Sequence, residues 1–160
     1  LLSRRQRQMC KETGEYGGQG ADVLTYTLCM EEMSKVDAST GITLSVHTSL
    51  CCPCINEFGT EEQKQKYLRP LVDGSKIGCF GLTEPGAGTD AAGVKTTADK
   101  TEDGKYYVLN GTKMFTTNSG FADTFIVINL VIKYQLNYID KQRTIFYVEK
   151  PIGDFFIPID

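Results

Sequence analysis

The chain of 160 residues has no long apolar run. A membrane-spanning helix needs about 20 consecutive apolar residues, so no transmembrane span and no membrane partner are expected. It also has no basic surplus. Its 17 Lys and Arg face 20 Asp and Glu, interspersed, for a net charge of -3. That balance excludes the basic stripe of a nucleic-acid-binding domain. Histidine is nearly absent too. The single one, His47, forms H-x3-C-x2-C with Cys51 and Cys54. On a helix these three share a face and could hold a metal or a redox pair, but a structural zinc site needs a fourth ligand and no second histidine is present. A small-residue core helix with buried thiols is the plainer expectation. The opening "LLSRRQRQMCK" has no apolar core of signal-peptide length, so no secretion signal is expected. Without a secretory context the six cysteines are expected as thiols in a reducing compartment. There is no internal repeat and no low-complexity tract, and a chain that does not begin with Met is expected to be a piece of a longer or trimmed one.

The residues that are present divide in two. "ADVLTYTLCMEEMSKVD" places Val23, Tyr26, Met30 and Met33 on one helical face, with Glu31, Glu32 and Lys35 on a solvated one. "STGITLSVHTSLCCPCINEFG" is small and apolar nearly all round, which suits a buried helix, with Gly41 and Pro53 arguing against a straight one. In "GTEEQKQKYLRPLVDG", Thr60 and Gln63 form a capping box, Pro70 should disturb the last turn, and Gly74 is a stop. After Ser75 the pattern alternates. "KIGCFGLTE", "GVKTTADK", "KYYVLNGTKMFTTN", "TFIVINLVI" and "RTIFYVEK" read as strands, and Asn110-Gly111 signals a hairpin between Val108-Leu109 and Met114-Phe115. The segment from Asn129 to Gln142 has no clear periodicity. Helices first and strands second predict an α+β fold: a helical segment over 1–74, then an antiparallel, barrel-like β domain over 75–160.

The stretch "CFGLTEPGAGTDAAG", residues 79–93, carries the most chemistry. It is not a P-loop, because no Lys-Ser or Lys-Thr follows, and not a dinucleotide fingerprint, because a strand follows rather than a helix. One reading is a tight turn with glycines for positive φ. The other is a ligand cradle. Thr83 ends a strand with a hydroxyl and an amide, the glycines admit a flat ligand to the backbone, and Phe115 with Thr116 and Thr117 repeats the kit on a second strand. An aromatic beside paired hydroxyls suits a flavin, which needs cover on its face and hydrogen bonds at its rim. Glu84 and Asp90 could pass for an acid–base pair, but are expected to fix their own loop and turn instead.

"FGLTEPGAGTD", "KMFTTN", "EYGG", "EEMSKVDASTG" and "FGTEEQKQKYLRPLVDG" together resemble the acyl-CoA dehydrogenase family, over about residues 14 to 128 and nearest its bacterial short-chain, butyryl-CoA branch. "FYVEKPIGDFFI" resembles a later strand of the family more weakly. The resemblance implies a helical domain, a middle β-barrel-like domain and a C-terminal four-helix domain. It implies FAD as cofactor, an acyl-CoA substrate, electron-transfer flavoprotein as electron acceptor and a homotetramer for the full-length protein. The implied location is the cytoplasm of a bacterium, or the mitochondrial matrix of a eukaryote. By position it implies that Phe80, Leu82 and Thr83 line the flavin from one strand, that Gly88 and Thr89 sit at the following turn with Thr89 also touching the acyl-CoA, and that Phe115, Thr116 and Thr117 cover the other side. Thr116 stands where the family usually has Ile. The family's catalytic glutamate belongs to the C-terminal domain, so no catalytic residue is expected within these residues. The isolated chain is expected to be inactive and to bind FAD weakly or not at all. The rival expectation is a non-catalytic scaffold without flavin.

Overall fold

The computed structural model describes residues 14–135, 138–149 and 156–158, with backbone alone from residue 130 onward. The opening "LLSRRQRQMCK", with Cys10, lies outside them, as does all of "PIGDF". The chain divides into two compact units, Leu1–Phe80 with Thr117–Thr124, and Gly81–Thr116 with Phe125–Asp160.

The first unit is helical. Helix α1 is Val23–Val36 and α2 is Ala38–Ser45, with Asp37 at the joint. Its amide donates to the Met33 carbonyl and closes α1, while its carboxylate accepts the amides of Ser39 and Thr40 and opens α2. The Thr40 hydroxyl, then the Ser39 hydroxyl and the two amides, hold the Asp37 carboxyl at about 2. Of the predicted α1 stripe, Tyr26, Met30 and Met33 are half-buried, while Val23 is exposed. The Tyr26 and Ser45 hydroxyls lie 2.7 Å apart and tie α1 to α2.

The helical run continues from α2 through a π-helical turn, Val46–Cys51, into α3, Cys52–Phe58. A capping box between Thr60 and Gln63 then starts α4, Glu61–Gln63, followed by a second π-helical turn, Lys64–Leu68, and α5, Arg69–Val72. Each π turn directly precedes the turn that contains a proline. Proline cannot donate to the carbonyl four residues back and its ring collides with it. Widening the ladder lets the next donor reach five residues back instead: Cys52 to His47, and Arg69 to Lys64. Gly74 ends the run at φ +76 and donates to the Leu71 carbonyl. Leu44, Cys51, Cys52, Ile55, Leu68, Leu71 and Val72 are buried here. Each large aliphatic side chain among them contributes about 1.5–3 kcal/mol through area removed from water.

The second unit is a sheet. Strand β1, Gly78–Gly81, leads into it, and β2 (Thr97–Lys100), β3 (Tyr106–Asn110), β4 (Thr124–Gln135), β5 (Tyr138–Glu149) and β6 (Phe156–Pro158) follow. Their order is β4-β2-β3-β6, with β5 paired to β4. The α+β class holds, with two differences of detail. β2 and β4 run parallel, so the sheet is mixed, and the described strands do not close into a barrel. Of the unclear segment from Asn129 to Gln142, the described residues 129–135 end β4 and 138–142 begin β5.

The Asn110-Gly111 hairpin does not form. The hairpin lies earlier, between β2 and β3, where Thr97 pairs with Asn110 and Lys100 with Tyr107. Its turn uses Asp103 and Gly104. Gly104 takes φ +70, the Thr101 amide donates to the Tyr106 carbonyl at 2.9 Å, and Asp103 accepts from the Thr101 hydroxyl and the Lys105 amide. Gly111 serves a different need: a Cβ there would lie 2.3 Å from the Thr96 hydroxyl oxygen. The chain then runs alongside Thr83 instead of folding back on β3.

Candidate functional site

Phe80 and Thr117 fall in the first unit; Leu82, Thr83, Gly88, Thr89, Phe115 and Thr116 fall in the second. Within the second unit the two predicted segments meet. The Met114 amide donates to the Thr83 carbonyl at 2.9 Å. A Cβ placed on Gly81 would be 3.6 Å from Thr116 Cγ2 and 3.6 Å from Lys113 Cγ, so this strand end lies against both residues.

Glu84 organises the meeting. It is 7% exposed, and both its oxygens are engaged. Oε2 accepts the Lys95 amide at 2.6 Å; Oε1 accepts the Thr96 amide at 2.9 Å and the Thr96 hydroxyl at 2.6 Å. Lys113 Nζ donates to Oε1 at 2.7 Å and to the Leu82 carbonyl at 3.0 Å. Burial pushes the Glu84 carboxyl up, but the Lys113 ammonium, the Thr96 hydroxyl and the two amides outweigh it and hold it at about 2. Such a carboxylate is too weakly basic, and too fully bonded, for proton abstraction near neutral pH. The loop-fixing role expected of Glu84 is therefore what its geometry provides. Asp90 differs from expectation: it opens the short 3-10 turn Ala91–Gly93 with its backbone, and its side chain makes no capping hydrogen bond.

The glycines of the loop are not there for positive φ. Gly86, Gly88 and Gly93 do not take it, and a Cβ on Gly86 or Gly88 would meet no heavy atom within 4 Å. Neither a left-handed φ nor packing among the described residues requires glycine at 86 or 88. Thr83 and Thr116 are half-buried, and among the described residues their hydroxyls have no hydrogen-bond partner. Gly88 and Thr89 are exposed. Phe115 is 83% exposed and holds φ +54, a conformation that bulky residues rarely adopt.

In the first unit, Phe80 and Thr117 are half-buried, and the Thr117 hydroxyl also has no partner among the described residues. Two side chains hold the backbone beside them. His47 accepts the Gly78 amide, and Asn118, at φ +74, donates from its amide nitrogen to the carbonyls of Gly78 and Thr43 at 3.1 and 3.0 Å. With both ring nitrogens engaged by backbone, His47 is not a ligand, and the described residues hold no group of His, Cys, Asp or Glu suited to a metal. Burial raises the Cys54 and Cys29 thiols, and no disulfide occurs among the described residues.

The models of the acyl-CoA dehydrogenase N-terminal domain and middle domain match residues 10–75 and 79–155. The chain belongs to the acyl-CoA dehydrogenase family. It is 51% identical over 143 residues to the short-chain-specific acyl-CoA dehydrogenase of Clostridium acetobutylicum, a match over 89% of this chain and 36% of the relative. It is 54% identical over 125 residues to the enzyme of the same description from Megasphaera elsdenii, covering 78% of this chain and 32% of that one. The chain thus spans about a third of the length of these curated relatives. Among solved structures it superimposes on butyryl-CoA dehydrogenase from Megasphaera elsdenii with a TM-score of 0.78 and 48% identity, over 90% of this chain and 37% of that one. The acyl-CoA dehydrogenase of Bacillus anthracis complexed with FAD gives a TM-score of 0.81 at 33% identity, over 97% and 30%. A structure described as an electron transferring flavoprotein of Acidaminococcus fermentans gives 0.74 at 38% identity, over 99% and 49%.

The family is one of FAD-dependent oxidoreductases, and the helix-then-strand order read from the sequence is its N-terminal and middle domains. Sequence reasoning missed Lys113, Thr96 and Asn118. The signal for the first two was Glu84 itself, since a carboxylate beside a buried strand end needs a cation and donors. His47 drew notice for its spacing to Cys51 and Cys54, when its solitary place in an apolar helix was the better clue.

Proposed function

We propose that these residues form the helical and middle β portions of an FAD-dependent acyl-CoA dehydrogenase that converts a short-chain acyl-CoA to the enoyl-CoA and passes the electrons to electron-transfer flavoprotein. The full-length protein would be a cytoplasmic homotetramer in a bacterium. The observation that carries this reading is the pair of half-buried hydroxyls, Thr83 and Thr116, which have no partner among the described residues and lie on two segments joined by the Met114 amide and the Thr83 carbonyl. Each is a hydroxyl free to donate to or accept from a ligand's polar rim.

The residues fit a flavin ring. Thr83 and Thr116 offer donors to its edge, Leu82 and Phe115 offer apolar cover to its face, and the open backbone at Gly86 and Gly88 admits it closely. Thr89, exposed on the same loop, would reach the acyl-CoA. FAD, when bound, supplies the acceptor for the hydride that leaves the acyl Cβ. Glu84 is held ionised and fully bonded by its partners and is not suited to remove the α-proton; the base would come from the family's C-terminal domain.

The test is an NMR titration of the 160-residue chain with FAD at up to millimolar concentration, where weak binding is still read. Shifts centred on the amides of Leu82, Thr83, Gly88 and Thr116 are expected. The flavin reading commits to weak binding by this chain over none, so an absence of shifts there at millimolar FAD would leave the scaffold without flavin as the reading to keep. The same preparation should not oxidise butyryl-CoA with an artificial acceptor; turnover would show that the base lies within these residues.

A further inference from the structure

Lys113 and Glu84 have side chains only 13% and 7% exposed, and neither belongs to the set that would touch the flavin. A buried pair of this kind contributes little net stability, because desolvating two charges costs about as much as their attraction returns. Its best-attested use is to fix register. The bonds here have that form. Lys113 donates at once to Glu84 and to the Leu82 carbonyl, and Glu84 reaches the amides of Lys95 and Thr96. Three separate segments are thereby pinned around Thr83, whose own carbonyl takes the Met114 amide. Among the described residues, the hydrogen bonds that join 82–84 to 113–116 are the Met114 amide to the Thr83 carbonyl and the two made by Lys113.

We infer that the Glu84–Lys113 pair is a positioning device for the proposed flavin site: it sets the spacing between the Thr83 and Thr116 hydroxyls, and so the affinity for the ring, without touching the ring. This rests on the flavin reading given above. Loss of the pair would leave both hydroxyls in place but no longer held at a fixed separation, and a planar ligand with two rim contacts depends on that separation.

The experiment compares the wild-type chain with the double variant Lys113→Met with Glu84→Gln. The double variant removes both charges and leaves no ion buried alone. Three quantities are read: the urea midpoint, the exchange rate of the Met114 amide, and the FAD dissociation constant from the NMR titration. The expected result is an unchanged urea midpoint, Met114 exchange faster by about tenfold, and a dissociation constant raised by about tenfold, the loss of one well-made polar constraint. A merely structural pair would move the midpoint and leave the affinity unchanged. If the wild type binds FAD and the double variant binds equally well, the positioning role is wrong while the flavin reading stands. If the wild type gives no shifts at Thr83 and Thr116, the flavin reading fails and this inference falls with it.

Discussion

His47 holds Gly78 by its backbone. Nδ1 accepts the Gly78 amide at 3.0 Å, and the Nε2 hydrogen is donated to the Leu71 carbonyl at 3.2 Å. One side chain, 3% exposed, therefore joins the end of the helical run to the start of β1. Replacing it by Phe keeps a ring of similar shape but leaves the buried Gly78 amide unpaired, while the Leu71 carbonyl keeps the Gly74 amide. For one unsatisfied buried group, His47→Phe should destabilise the chain by about 1–3 kcal/mol. Urea unfolding followed by far-ultraviolet circular dichroism measures this, and an unchanged midpoint would mean that the imidazole bridge carries no weight.

The same backbone position is tight on its other side. A Cβ on Gly78 would lie 2.3 Å from Cys51 Sγ and 2.9 Å from Cys51 Cβ. Gly78→Ala should cost about 1–3 kcal/mol as an overpacked core substitution. Adding Cys51→Gly should recover part of that loss, since it removes both clashing atoms. A double-mutant cycle in thermal unfolding decides it, and simple additivity would show that the strain is relieved elsewhere.

Glu84 makes stability depend on acid. Its carboxyl sits at about 2 in the fold against an ordinary value of 4.5, a depressed value. The contribution is therefore fully present above pH 4.5 and is lost as pH falls from there through about 2. Urea midpoints measured from pH 6 down to pH 2 should converge for wild type and Glu84→Gln as acid is added. Asp37, also held at about 2, is common to both proteins and cancels in the comparison. Parallel curves would show that the carboxylate has no special partners in the fold.

Much of this architecture was legible because short-range chemistry decided it. Thr60 with Gln63 forms the capping box that its spacing promised, and Gly74 stops the helix as its position implied. What escaped was set by contacts distant in sequence. Asn110-Gly111 has the composition of a hairpin turn, yet Thr96, brought close by its bonds to Glu84, takes the space beside Gly111. The hairpin went to Asp103-Gly104, a signal of equal local strength. The π turns before Pro53 and Pro70 show the reverse case: each proline marked a disturbance, but only the ladder reveals that the helix widens instead of ending. In the second unit the proposed contact residues came from motifs, whereas Lys113 and Thr96 became visible only when the segments they hold were placed side by side.

Phe115 combines a left-handed backbone with an exposed ring in the proposed site. Its φ of +54 places a bulky side chain in the left-handed region, at a cost of about 1–2 kcal/mol. At 83% exposure it recovers little of that by burial within the chain. A strained, exposed aromatic beside unpartnered hydroxyls is explained if the ring is held out for a ligand. Phe115→Asn tests this, because Asn tolerates the left-handed region and has no aromatic face. The variant should gain up to about 1 kcal/mol in urea unfolding, relief of part of the strain, while its FAD-induced shifts at Thr83 and Thr116 weaken. Stability and binding would then move in opposite directions, as expected where a site is kept strained for use. A loss of stability in Phe115→Asn would make the ring a packing element after all, and unchanged FAD shifts would remove it from the flavin's cover.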